Sequence, residues 1–218
     1  MAKNLSNNFG YFITFEGPDG CGKTTIAKEV FTILQKKYPN KVVLTREPGG
    51  KNNIIAEEIR NILLNHIDYK IDKRAEALLF AASRAQHVND FILPKLKQGN
   101  IVLCDRYIHS SLVYQGYVRN LGIKEVLDIN KFAIQNTMPC LVILIMLEPE
   151  KCFERIKQNS RDMNRLDRES INLHNRVYEG YKNLANKYPE SICVVDGSGS
   201  IQEVTNQVMK ILKDKIKI

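Results

Sequence analysis

Five short apolar runs punctuate the chain, Tyr11 to Phe15, Val42 to Leu44, Ile101 to Cys104, Leu141 to Leu147 and Ile192 to Val195. Each is followed by a polar turn and a longer stretch with apolar residues three and four apart, so strands alternate with helices. That alternation predicts a parallel sheet, because parallel neighbours are joined by helical crossovers. The runs are continuously apolar where a half-exposed strand would alternate, which puts helices over both faces of the sheet. An α/β fold in three layers is expected. Val204, Val208, Ile211 and Leu212 form the apolar stripe of the last helix, and Leu173, Val177, Tyr181, Leu184 and Tyr188 that of the helix before it. A long helix beginning near Arg74 takes Leu78, Ala81, Ala85, Val88 and Ile92 as its expected core stripe, with Phe80, Arg84 and His87 together on another face.

No segment repeats, none is of low complexity, and no Pro/Gly/Ser-rich linker divides the 218 residues, so 1–218 reads as a single domain. Residues 1–8 are polar, lack the features of a secretory signal and read as a loose tail. Residues 159–168 are charged, hold Arg161, Arg165 and Arg168 with few apolar anchors, separate two helices and read as a mobile lid. The longest apolar run has seven residues, far short of the roughly 20 needed to span a bilayer. No membrane role is expected.

Composition narrows the picture further. The five cysteines are odd in number, scattered and without a CxxC pair, which suggests neither a disulfide framework nor a zinc cluster and fits a reducing cytoplasm. The four histidines have no paired-ligand spacing. Lys+Arg 32 against Asp+Glu 24 gives a net charge of +8, which points to a polyanionic partner but does not choose among nucleic acid, a membrane surface and a nucleotide. The densest lysine cluster, Lys210, Lys213, Lys215 and Lys217, ends a helix and reads as a solvated terminus.

Gly17-Pro18-Asp19-Gly20-Cys21-Gly22-Lys23-Thr24 matches GxxxxGK[ST], follows the first strand and opens a helix with apolar Ile26, Val30, Ile33 and Leu34. This is the pattern of a phosphate-binding loop. Its glycines let backbone amides turn around phosphate oxygens, the helix presents its positive end, Lys23 adds charge and Thr24 can ligate Mg²⁺. Asp105, at the carboxyl end of the third apolar run, could hold a metal hydration shell beside that loop or serve as a helix N-cap. Arg106 follows it, and the DxxG and NKxD motifs of a GTPase are absent, so a cation at that edge suits a second phosphate. Thr45-Arg46-Glu47-Pro48-Gly49-Gly50 ends the second run in a turn-prone loop, and Arg60 lies on the next helix. Phe80, one turn from Arg84, could stack a nucleobase or simply pack in the core.

With these residues assembled, the chain resembles the thymidylate kinase family almost end to end. The resemblance rests on FEGPDGCGKTT at Phe15 to Thr25, TREPGG at Thr45 to Gly50, LLFAASRAQH at Leu78 to His87, DRYIHSSLVYQG at Asp105 to Gly116 and NRLDRE at Asn164 to Glu169. It implies a P-loop nucleoside-monophosphate-kinase fold with a five-stranded parallel sheet flanked by helices, transfer of the γ-phosphoryl group of ATP to dTMP, Mg²⁺ with the ATP, and a homodimer. It further implies that Gly17, Pro18, Asp19, Gly20, Cys21, Gly22, Lys23, Thr24 and Thr25 bind ATP, with Thr24 and Asp105 around the metal. Arg60 and Arg106 would grip the dTMP phosphate, and Phe80 would stack on thymine. Arg84, Ser111 and Gln115 would read its polar edge, and Tyr114 would lie under the sugar. Asp19 would approach the 3′-hydroxyl and Glu47 would organise the acceptor side, while Arg46 is read as structural.

Some family members carry an arginine inside the P-loop. This chain has Gly20-Cys21 there and gathers its arginines in the lid, so it resembles the lid-arginine type of bacteria, with Arg161 or Arg165 closing over the transferring group beside Lys23, Arg106 and Asp105. In-line transfer between two anions needs positioning and charge more than a general base. Two phosphorylated substrates also account for the basic charge without nucleic acid. Cys21, at a helix N-terminus, reads as a small residue that fits, although that position favours a thiolate. The alternatives are a deoxynucleoside kinase, against which the Arg60 and Arg106 pair argues, and a nucleic-acid-stimulated ATPase, which would need an extended basic and aromatic surface.

Overall fold

Strand β1 (Phe12–Glu16) is buried along its whole length, as a continuously apolar run requires. It lies at the centre of a five-stranded sheet in the order β2-β3-β1-β4-β5, with β2 (Val42–Arg46), β3 (Ile101–Asp105), β4 (Leu141–Met146) and β5 (Ile192–Asp196), and every pairing is parallel. The computed structural model describes residues 9–50, 53–65, 70–158 and 171–218. The segments expected to be a loose tail, 1–8, and a lid, 159–168, lie outside the described residues.

The sheet divides the core into two layers, because alternate residues of each strand face opposite sides. Ile13, Phe15, Leu103, Ile143 and Ile145 pack with α1 (Lys23–Lys37) and α9 (Ile201–Ile216) through Val30, Leu34, Val208 and Leu212. Phe12, Val102, Cys104, Val142 and Leu144 face α3 (Lys73–His87), α6 (Ile123–Ile134) and α8 (Ile171–Lys187), where Val177, Tyr181 and Leu184 are buried. Phe80 joins Leu63 and Leu64 of α2 (Ile54–Asn65) in a small third cluster. The five-stranded α/β architecture implied by the resemblance is the one observed. Among the described residues no helix is long and apolar enough to cross a membrane.

Three details depart from the sequence reading. Val194 of β5 is 54% exposed, because β5 pairs only with β4 and an edge strand is not covered on both faces. Ile33 also sits at the surface of α1. The long helix is the instructive case: it runs as α3, a π-helical segment Val88–Ile92, and α4 (Leu93–Lys97). Leu78, expected in the core, is 56% exposed, whereas Glu76, Ser83, Arg84 and His87 are buried. Ala81, Val88 and Ile92 are buried as expected and Ala85 packs against them, so the stripe fails only at Leu78, where the inward face turns polar.

The sheet register brings the chemistry to one edge. Phe15 and Arg46 both pair with Asp105, so the carboxyl ends of the three neighbouring strands β2, β3 and β1 finish together. Ligands of open parallel sheets bind beyond that end.

Candidate active site

The turn after β1 can enclose a ligand only because it holds glycines. Gly20 has φ +83°, and a Cβ there would stand 2.3 Å from the Cys152 carbonyl oxygen; at Gly17, φ +143°, it would stand 2.2 Å from that of Ile145. Gly22 caps α1 with φ 95° and no side-chain hydrogen bond, and the first turn has no acidic residue. The first amides of α1 are thereby left for an anion. Lys23 Nζ donates to the Pro18 carbonyl at 3.1 Å and stands 3.6 Å from Asp19 Oδ1.

Thr24 Oγ1 donates to Asp105 Oδ2 at 2.5 Å, while Asp105 Oδ1 is buried without a hydrogen-bond partner. The N-cap alternative for Asp105 fails, since α5 (Ile108–Ser111) starts after Tyr107 and has no side-chain cap. A hydroxyl beside an unsatisfied carboxylate oxygen fits a hard cation such as Mg²⁺, which takes one or two protein oxygens and fills its other positions with water and phosphate.

Arg106 follows directly, with φ 69°. Its guanidinium donates to Asp19 Oδ1 at 2.6 Å, Ser110 Oγ at 2.9 Å, Tyr181 Oη at 3.2 Å and the Gly17 carbonyl at 3.3 Å. Tyr114 Oη donates to the other Asp19 oxygen at 2.7 Å. Burial works to raise the Asp19 pKa, but Arg106 and Lys23 outweigh it and hold the carboxyl well below its usual range. Behind this group lies Glu16, fully buried, which accepts from Ser110 Oγ at 2.6 Å, the Tyr107 amide at 2.8 Å and Tyr181 Oη at 3.1 Å. Burial raises the Glu16 pKa.

The opposite end is built by β2, α2, α3 and the π-helical segment Leu112–Val118. Arg60 and Arg46 each donate to the Pro48 carbonyl at 2.9 Å, beside the cis Glu47–Pro48 bond, and Arg46 also pairs with Glu57 at 3.0 Å. Burial, then the charge of Arg46, lowers the Arg60 pKa to about 10, so Arg60 stays cationic at neutral pH. Arg84 donates through Nε to Glu47 Oε2 at 2.6 Å, through one terminal nitrogen to Ser111 Oγ at 3.1 Å and to Asn130 Oδ1, and through the other to the Tyr107 carbonyl at 3.1 Å. Glu47 also meets His87 Nδ1 at 3.1 Å, and His87 Nε2 meets Thr45 Oγ1 at 2.8 Å.

A single cavity of about 610 Å³ joins the two ends. Its wall includes Asp19 through Thr25, Glu47, Arg60, Phe80, Arg84, Asp105, Arg106, Ser111, Tyr114 and Gln115. Gly17 and Pro18 stand behind the wall, their carbonyls holding Arg106 and Lys23. Arg161, Arg165 and Arg168 lie outside the described residues. Cys21 is buried and its thiol is pushed up by that burial, so the helix terminus does not produce a thiolate.

Sequence reasoning missed several participants. Arg155 of α7 (Pro149–Gln158) and the Gly197 to Gly199 loop line the P-loop end, and Arg155 donates to the Gly197 carbonyl at 3.4 Å. In the sequence Arg155 is one charge in an amphipathic helix and carries no distinguishing signal. Glu76, Asn130 and Glu16 form the support behind the wall. For Glu76 a signal existed: it lies one turn before Phe80 on the face already marked by Arg84 and His87.

A family model described as thymidylate kinase matches residues 15–208. The thymidylate kinase of Bacillus velezensis (strain DSM 23117 / BGSC 10A6 / LMG 26770 / FZB42) is 47% identical over 210 residues, covering 95% of this chain and 97% of that one. The thymidylate kinase of Clostridium novyi (strain NT) is 46% identical over 207 residues, covering 94% and 100%. A crystal structure of thymidylate kinase from Ehrlichia chaffeensis superposes with a TM-score of 0.75 at 32% identity, covering 94% of this chain and 99% of that one.

Proposed function

The chain belongs to the thymidylate kinase family, and we propose from that premise how its residues divide the work. It transfers the γ-phosphoryl group of ATP to dTMP, giving dTDP. The observation that carries the assignment of roles is the continuity of the cavity: uncapped helix amides with Lys23 and Thr24 at one end, Phe80, Arg84 and Gln115 at the other, and Arg106 between them.

Residues 17–25 cradle the ATP phosphates, with Arg155 and the 197–199 loop beside the rest of the donor. Arg60 and Arg106 hold the dTMP phosphate, with Arg106 kept in line by Asp19 and Ser110. Phe80 stacks on thymine, Arg84, Ser111 and Gln115 meet its polar edge, and Tyr114 packs under the sugar. Asp19 approaches the 3′-hydroxyl, and Glu47 fixes Arg84. Thr24 and Asp105 are the residues that would hold Mg²⁺, which when bound draws phosphate oxygens together and offsets their charge.

The chemical demand is small once two anions are aligned against their repulsion, and the arginines meet it by charge placed in advance. Arg161 or Arg165, in a lid at 159–168, would complete that charge over the transferring group. We read 1–218 as one domain, acting in the cytoplasm as a homodimer. Helix α3 packs between α2 and α6, and these carry the exposed apolar side chains Ile62, Leu78 and Phe132, which supports pairing with a second copy.

The test is diphosphate production from ATP and Mg²⁺ with dTMP, dUMP, dGMP, thymidine or no acceptor. Strong turnover of dTMP and little of thymidine is expected from the two phosphate-gripping arginines. A preference for thymidine would transfer the reading to a nucleoside kinase, and acceptor-free hydrolysis alone would remove the acceptor site.

A further inference from the structure

Glu76 is 1% exposed, lies outside the cavity wall and has no part in the roles assigned above. Its Oε1 accepts a hydrogen bond from Gln115 Nε2 at 2.9 Å, and Gln115, itself 1% exposed, does line the cavity. The same oxygen stands 3.6 Å from Arg119 Nε, one turn beyond Gln115. With Arg119 Nε beside it, Glu76 Oε1 acts as an acceptor toward Gln115, and that contact settles which way round the Gln115 amide sits. Nε2 is turned to Glu76, and Oε1 is the end left to accept.

We propose that Glu76 is a positioning residue for base choice: by locking the Gln115 amide it presents a fixed acceptor, which selects a pyrimidine with a ring N–H over one without. The inference rests on the reading of Gln115 as a residue of the base edge. Thymine and uracil carry a hydrogen on N3; cytosine has a lone pair there and would meet the Gln115 oxygen with repulsion. Arg84 is held from four sides by Glu47, Ser111, Asn130 and the Tyr107 carbonyl, which engages four of its five N–H groups and leaves one, fixed in direction, as the neighbouring donor. A site built this way rejects the wrong partner because its own buried groups go unpaired. Without the carboxylate, the amide is free to rotate and offer its NH₂ to cytosine.

The experiment compares kcat/KM for dTMP and dCMP in the native enzyme, Glu76→Gln, Gln115→Leu and the exchange E76Q/Q115E. Glu76→Gln is expected to lower the dTMP:dCMP ratio at least about tenfold, chiefly through a higher KM for dTMP with kcat little changed. The exchange is expected to recover the ratio, since position 115 then carries a group that only accepts. An unchanged ratio in Glu76→Gln, where Gln115→Leu lowers it, would leave Glu76 a structural residue and overturn the proposal. An unchanged ratio in Gln115→Leu would remove the base-edge reading itself, and the proposal with it. Should Glu76→Gln fail to fold, the exchange decides alone, because it keeps one amide and one carboxylate in the pair: a retained ratio supports the proposal and a lost one overturns it.

Discussion

Arg84 and Glu47 form an ion pair in the wall of the cavity, Nε to Oε2 at 2.6 Å, with both side chains 2% exposed. The pair joins α3 to the loop after β2, and His87 holds the second Glu47 oxygen from the same helix. Removing one partner of such a pair leaves the other charge buried and uncompensated, which costs about 3–5 kcal/mol. Glu47→Ala is therefore expected to lower stability by that order and to raise the KM for dTMP by freeing Arg84. Glu47→Gln, which keeps an acceptor, should cost less on both counts. Urea unfolding and steady-state kinetics on the two variants check the prediction; equal stability with the native chain would refute it.

Arg106 reaches Asp19, Ser110, Tyr181 and the Gly17 carbonyl at once, a geometry set by the planar guanidinium. A lysine presents one point charge and cannot repeat it. Arg106→Ala and Arg106→Lys are both expected to lower kcat/KM for dTMP by roughly 100-fold or more, the scale of losing one preorganised charge contact. Rescue by lysine would mean that net charge alone matters there.

The lid role proposed for Arg161 or Arg165 is checked by comparing Arg161→Ala with Arg165→Ala. One of them is expected to lose a factor on the order of 10³ in kcat, as when an arginine that neutralises a transferring phosphoryl group is removed. Unchanged turnover in both variants would make the segment a solvated charged loop.

His109 is buried, its Nδ1 has no partner, and desolvation lowers its pKa from 6.5 to about 4. Between those values the unfolded chain binds a proton that the folded chain refuses, so stability falls as the pH drops through that window and is flat for this group above it. The contribution at stake is roughly 3 kcal/mol at most. Chemical denaturation at pH 7.5 and 4.5 should show a smaller loss in His109→Gln than in the native chain. Parallel losses in the two would exclude His109 as the source.

Phe132 is 89% exposed on α6, and Leu78 is 56% exposed on the neighbouring α3. If a second copy covers this face, Phe132→Glu is expected to shift the mass measured by light scattering from dimer to monomer, with the far-UV spectrum unchanged. A monomeric native chain would dispose of the proposal directly.

What the sequence alone determined is what is encoded by near neighbours. The spacing Gly17, Gly20, Gly22, Lys23 and Thr24 dictates a turn whose amides converge, and five apolar runs of three to seven residues dictate the strands of a parallel sheet, because each property is satisfied within one segment. Family motifs added the residues that meet in the cavity, and Asp105, Arg106, Phe80 and Gln115 all stand in its wall.

The tertiary structure decided the rest. Glu76, Asn130 and His87 are polar residues on inward faces, and apolar periodicity passes over them in favour of Leu78, which solvent reaches. Their burial is tolerable only because partners arrive from distant segments: Glu47 lies 37 positions from Arg84, Asn130 lies 46, and Gln115 lies 39 from Glu76. A buried charge is stable when its counter-charge and hydrogen bonds are in place and costly when they are not. That condition depends on which elements the fold brings together, and no single stretch of chain contains it.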